Sequence, residues 1–282
     1  KLVTAVAGAM LCLTSSTASA IPLSGTSYTS SLDSTEILGN SFGTFVDNFD
    51  DNVLDPSVWG VRNPTVVESG GVVTFSSPGN IRGGCSNGYC MTQESSGIAT
   101  DNHAVFDGQG DFTWTSTWLP GLPNPNQLFG VGFSYACIPG VEQCNGGLGM
   151  AVGNIEGIVA DILGLSPGLN LFFYGGFQPP QIPLYNYAQA FSINPADITG
   201  EIVMQLAFND STDIVNAAFS LDGGTSFLTP FSPVQTGPIG LGILSAGAQS
   251  WSLRSVPEPS TPTLFAVGIV GLGFAYRRKG EQ

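Results

Sequence analysis

The chain has 282 residues; only 10% are charged, while glycine (38) and proline (19) together make about a fifth of it. Ordinary proteins carry roughly 12% glycine plus proline, so this composition suits short strands and turns and excludes a helical protein, whose exposed faces need Glu, Lys and Arg. From Ile21 to Val256 the chain holds 19 of the 21 acidic residues against Arg62, Arg82 and Arg254, a net charge of −16, which excludes nucleic acid as a partner because phosphate binding needs Lys and Arg.

Residues 1–20 read as a secretory signal peptide. Lys1 supplies the positive start, Leu2 to Leu13 a short apolar stretch, and Ala18-Ser19-Ala20 the small-residue cleavage pattern. A core helix is the alternative reading. A lipoprotein site at Cys12 is disfavoured by Leu11, where a small residue is needed. The Sec translocon and signal peptidase are the implied partners, and the next segment, 21–43, is rich in Ser, Thr and Gly and is expected to be an extended leader or an edge strand.

Residues 44–256 are expected to form one all-β passenger, an antiparallel β-sandwich. Strand candidates separated by Gly, Pro, Asn or Asp are Val72–Ser76, Ala104–Phe106, Asp111–Trp118, Leu128–Tyr135, Leu148–Val152, Leu171–Tyr174, Ile202–Phe208, Val215–Leu221, Ile239–Leu244 and Trp251–Val256. In Asp111–Trp118 the apolar Phe112, Trp114 and Trp118 alternate with polar residues, which makes a half-buried strand. Asp222-Gly223-Gly224, between Phe219 and Phe227, signals a hairpin turn. Residues 154–165 have room for one or two helical turns, and no fixed-period repeat is present.

Three segments resemble the concanavalin-type jelly roll of lectins, laminin-G modules and laminarinase-like glucanases. They are Asp47-Asn48-Phe49-Asp50-Asp51-Asn52-Val53-Leu54-Asp55-Pro56-Ser57-Val58-Trp59, Gly110-Asp111-Phe112-Thr113-Trp114, and Ala218-Phe219-Ser220-Leu221-Asp222-Gly223-Gly224-Thr225-Ser226-Phe227. Glucanases of this fold carry their carboxylates as E-x-D-x-x-E on one strand, where alternation puts them on a common face. That spacing does not occur in this chain. Glu156 and Asp161 are five apart, on opposite faces of a strand, and His103 is the one histidine from which a Ser–His–Asp set would be built. The expectation is therefore a binding or structural protein rather than an enzyme, with a secreted hydrolase of another constellation as the alternative. Trp114, Trp118 and Tyr135 are candidates to stack on sugar rings, with core packing as their competing role.

The passenger's four cysteines fall in two local pairs. Export to an oxidising compartment favours disulfides, and of the three connectivities Cys85–Cys90 with Cys137–Cys144 is expected, since both loops hold Gly or Pro and close tightly. A four-thiolate zinc site is disfavoured by the six-residue gap in the second pair. Candidate calcium ligands are Asp47, Asp50 and Asp51, and Asp107 with Asp111; each cluster needs further oxygens to reach six to eight, and solubility explains the same residues. No other cofactor is implied.

At the C-terminus Val256-Pro257-Glu258-Pro259 precedes an uncharged segment, 260–276, then Arg277-Arg278-Lys279. As a helix those 17 residues span about 25 Å, near the lower limit for crossing a bilayer. The arginines can snorkel to the interface, and the basic cluster acts as a stop-transfer. This order of motif, membrane helix and basic tail, residues 257–282, resembles the PEP-CTERM sorting signal of Gram-negative bacteria. The resemblance implies recognition by an exosortase, transit through the inner membrane, and delivery to the cell surface or extracellular matrix. A polysaccharide is the expected further partner.

Overall fold

Among the described residues strand pairing satisfies most of the backbone, in keeping with a composition poor in helix formers. The computed structural model describes residues 28–39, 43–61, 65–77, 80–86, 89–100, 110–137, 144–157, 160, 165–175, 189–240 and 242–255. Its strands are β1 (Thr29–Leu38), β2 (Phe45–Asp47), β3 (Gly60–Val61), β4 (Val67–Glu68), β5 (Val73–Ser76), β6 (Asn80–Ser86), β7 (Tyr89–Ala99), β8 (Phe112–Trp118), β9 (Gln127–Cys137), β10 (Cys144–Ile155), β11 (Gly168–Gly175), β12 (Gln189–Ser192), β13 (Ile202–Asn209), β14 (Ile214–Ser220), β15 (Val234–Gln235) and β16 (Ile243–Ser255). They form two antiparallel sheets. Sheet 1 runs β15-β14-β13-β8-β1-β5-β4, with β2 also on β1; sheet 2 runs β12-β11-β10-β9-β16-β7-β3, with β6 also on β7.

The expected all-β sandwich is therefore the fold. In β8 Phe112, Trp114, Ser116 and Trp118 are all buried and the residues between them are not. Their rings meet sheet 2 across the core: Trp118 on Phe129 at 4.9 Å, Phe112 on Phe133 at 5.9 Å, and Trp114 on Phe133 at 6.3 Å between centroids. The Trp114 indole donates to the Thr35 hydroxyl at 2.7 Å, which satisfies its N–H inside the core.

Two expectations change. Thr29–Leu38, read as leader or edge strand, is interior: it pairs with β8 on one side and with β5 and β2 on the other. Its register shifts between Leu32 and Ser34, so Leu32, Thr35 and Ile37 are all buried although they do not alternate. The candidates Ile239–Leu244 and Trp251–Val256 prove to be one 13-residue strand, β16, beginning at Ile243.

The turn at Asp222 is formed as its residues predict. Gly223 and Gly224 have φ of 73° and 86°, and Phe219 and Leu228 exchange backbone hydrogen bonds across it. Gly157 and Ala160 are helical, within the segment given one or two turns. Among the described residues no helix is long and apolar enough to cross a membrane. The signal peptide, Ala104–Phe106 and the predicted membrane helix, 260–276, lie outside the described residues.

Candidate functional site

At one end of sheet 2 the end of β10, the start of β11 and the end of β12 meet the loop that precedes β9. Together they border a groove of about 540 Å³, within the range of small-ligand sites. Asn154, Glu156, Ser192 and Asn194 give it polar walls, and Leu122 and Ile193 are among its apolar ones. The loop is tied down locally. Asn126, at φ 58°, donates its N–H to the Asn154 carbonyl at 2.6 Å and accepts the Glu156 N–H on its side chain at 2.9 Å. The Asn154 amide donates to the Pro123 carbonyl at 3.2 Å. Ser192 donates to Asn170, a buried side chain that in turn donates to the Ser166 and Gly168 carbonyls. Glu156 is the carboxylate on this groove; Asp161 lies outside the described residues.

The aromatic candidates fall elsewhere. Trp114 and Trp118 are 2% and 0% exposed and belong to the core, so packing is their role and no sugar reaches them. The side chain of Tyr135 and all of His103 lie outside the described residues. On the outer face of sheet 2, an alanine Cβ at Gly149 would collide with the Tyr174 ring, and one at Gly153 would sit 2.9 Å from Phe172. These rings pack against the glycines. Phe172 is fully buried, and burial pushes the Tyr174 hydroxyl up to about 12.

Of the candidate calcium ligands, Asp47 and Asp51 come together around one buried carboxyl. Asp47 spends one carboxylate oxygen on the Phe49 N–H at 3.0 Å and the other on the Trp59 indole at 2.7 Å. Asp50 is exposed. Asp111 accepts the Asp210 N–H at 2.8 Å, in the turn after β13, and Asp107 is outside the described residues. The residue that does join the first cluster is Glu68 of β4, a position that no local motif marks. It is 7% exposed, accepts the Val53 N–H at 3.1 Å and hydrogen-bonds the Asp51 carboxyl. Burial first, then the bond to Asp51 and the charges of Asp51 and Asp47, push its carboxyl up to about 7. Both Asp47 oxygens are engaged within the protein, so Asp51 and Glu68 offer fewer oxygens than the six to eight that calcium takes. Among the described residues no three His, Cys, Asp or Glu are grouped to hold a metal ion.

The last described residue is Ser255, the end of β16. A match to the family described as the PEP-CTERM protein-sorting motif covers residues 255–279. This segment is a PEP-CTERM sorting motif. It contains Val256-Pro257-Glu258-Pro259 and Arg277-Arg278-Lys279, the features singled out in the sequence. No curated protein matches the chain in sequence. Solved structures similar to it include the Emp47p carbohydrate recognition domain (9% identity, 78% of this chain and 94% of that one, TM-score 0.37). Others are peanut lectin with a 9mer peptide (8%, 81% and 99%, TM-score 0.32) and the VIP36 exoplasmic/lumenal domain in a Ca2+/Man3GlcNAc-bound form (7%, 65% and 87%, TM-score 0.28). At scores this low the likeness carries no weight for ligand or activity.

The PEP-CTERM motif thus follows a sheet strand with no intervening linker. Along the same sheet the register sets Cys85 opposite Cys90 and Cys137 opposite Cys144. Directly opposed residues of antiparallel strands have Cα atoms about 4.5–5.5 Å apart, inside the range a disulfide spans. The backbone so meets the requirement of both expected pairs.

Proposed function

We propose that this chain is an exported protein that an exosortase sorts through its PEP-CTERM motif, and that its sandwich binds a neutral polysaccharide without cutting it. The motif at residues 255–279 carries the sorting half. Two prolines keep Pro257-Glu258-Pro259 extended and unpaired, a form a protease can take up. Signal peptidase removes residues 1–20 after Sec export, the uncharged segment 260–276 parks the chain in the inner membrane, and processing passes it to the cell surface or matrix.

The groove supports the binding half. Its amide and hydroxyl groups suit sugar hydroxyls, its apolar walls suit ring faces, and a body of net charge −16 repels anionic polymers. Retaining and inverting glycosidases need two carboxyls about 5–9.5 Å apart, whereas the described groove walls supply Glu156. The test is a panel of neutral and anionic polysaccharides, with and without calcium, presented to the mature protein. Binding is expected to neutral members, to be calcium-independent, and to weaken about tenfold in Asn154→Ala or Asn194→Ala, the loss of roughly one hydrogen bond. Release of reducing sugar that disappears in Glu156→Gln would make the protein a hydrolase instead.

A further inference from the structure

Strand β9 begins at Gln127, opposite Ser250 of β16, yet β16 continues to Ser255. Over 251–255 its described neighbour is β7, and β7 is held in turn by β6. Three strands therefore run on past β9 as a ribbon, by five residues or about 17 Å at strand rise. At the end of this ribbon the register aligns Cys85, Cys90 and Arg254 in one row, and Ser86, Tyr89 and Ser255 in the next. In sequence the turn-forming pair Asn87-Gly88 stands between β6 and β7, whose paired ends lie beside the point where the PEP-CTERM motif starts. The second pair, Cys137 and Cys144, closes the β9–β10 hairpin at the opposite end of sheet 2, since β9 and β7 both run antiparallel to β16.

We infer that a Cys85–Cys90 disulfide staples this ribbon and thereby sets the position from which the sorting motif is presented, so that exosortase processing depends on oxidation at this pair and not at the other. The inference rests on the sorting function proposed above. Two thiols lose two protons and two electrons to form the bond, the electrons passing by thiol–disulfide exchange to a disulfide oxidant of the export compartment. The physical need is local. A strand end whose described neighbour is a single strand frays at little cost, and fraying here moves the motif relative to the membrane. With β6 and β7 covalently joined one row from the motif, β16 keeps a fixed partner to its last residue. The thiols are reduced before export and oxidised after it, so a chain becomes a good substrate only once it is outside and folded.

The experiment follows the full-length chain in cells carrying its exosortase and reads the processed fraction over time by intact mass. The variants are Cys85→Ser/Cys90→Ser, Cys137→Ser/Cys144→Ser, and the first of these with a ten-residue Gly-Ser insertion after Ser255. Loss of the first pair is expected to slow processing severalfold, and loss of the second to leave it unchanged. The insertion, which frees the motif from the ribbon, is expected to abolish the difference between oxidised and Cys-free chains. Amide exchange should show protection at 251–255 falling in the first variant while β13 and β14 stay protected, which separates ribbon fraying from unfolding. Equal slowing by both pairs, no slowing by the first, or free thiols at Cys85 and Cys90 in the exported protein would overturn the inference. An unsubstituted chain that is never processed would remove the sorting reading and this inference with it.

Discussion

Strand β16 passes through two environments. From Ile243 to Ser250 it lies between β9 and β7, and Leu244, Ala246 and Ala248 face the core. From 251 to 255 its described neighbour is β7, and the PEP-CTERM motif begins at its last residue. The first segment is fixed by a sheet on both sides and by apolar burial; the second, among the described residues, is paired to β7 alone. One continuous strand thus joins the folded sandwich to the sorting motif. Changes in the first segment should register in stability, and changes past the second in processing.

The largest expected effect is in the sandwich. Trp118 is fully buried between Phe129 and Phe75, whose centroids lie 4.9 and 5.6 Å from its own. Trp118→Ala should cost about 3–5 kcal/mol in urea unfolding, the sum of lost burial and a cavity. Next comes the inner half of β16. A Cβ at Gly247 would run into the Ser96 carbonyl oxygen and sit 3.1 Å from the Gly97 Cα. Gly247→Val should cost about 1–3 kcal/mol by pushing β16 and β7 apart. A loss from Gly247→Val below the scatter of surface substitutions would mean that β16 is not held as described.

Smaller, and dependent on pH, is the effect at Glu68. Its folded pKa of about 7 is raised above the ordinary 4.5, so the folded state binds the extra proton between those values. Its contribution to stability is fully present below about 4.5 and is lost as pH rises through 7. Glu68→Gln, which stays neutral, should flatten that decline and stabilise the protein at pH 8 by about 1 kcal/mol, with no gain at pH 4. A melting curve whose pH dependence is unchanged by Glu68→Gln would place the proton elsewhere. The smallest effect should come from the ribbon's far end, where a short Gly-Ser insertion after Ser255 is expected to shift stability by no more than about 0.5 kcal/mol.

Legibility in the sequence followed local regularity. Strand β8 was readable because apolar residues occupy every core position except Ser116, and the hairpin at Asp222 because glycines take its positive φ positions. Strand β1 was not, since its bulge breaks alternation and all four residues between Leu32 and Ile37 are polar. Strand β7 carries Met91-Thr92-Gln93-Glu94-Ser95-Ser96-Gly97, which has no apolar rhythm, and owes its place to β16 and β6 on either side. The acidic cluster was half legible. Asp47 and Asp51 are four residues apart in sequence, but Glu68 joins them only through the pairing of β4 with β5, and nothing local announces it. The two indoles of β8 can stack on sugar or fill a core, alternation already favours the core, and the opposing sheet decides it.

The sorting account is tested most directly by the intact mass of the mature protein from its native host. The account predicts a chain that begins near Ile21 and ends close to Pro257–Pro259, lacking both the uncharged segment and the basic tail. A mature protein that still carries Arg277-Arg278-Lys279 would contradict it.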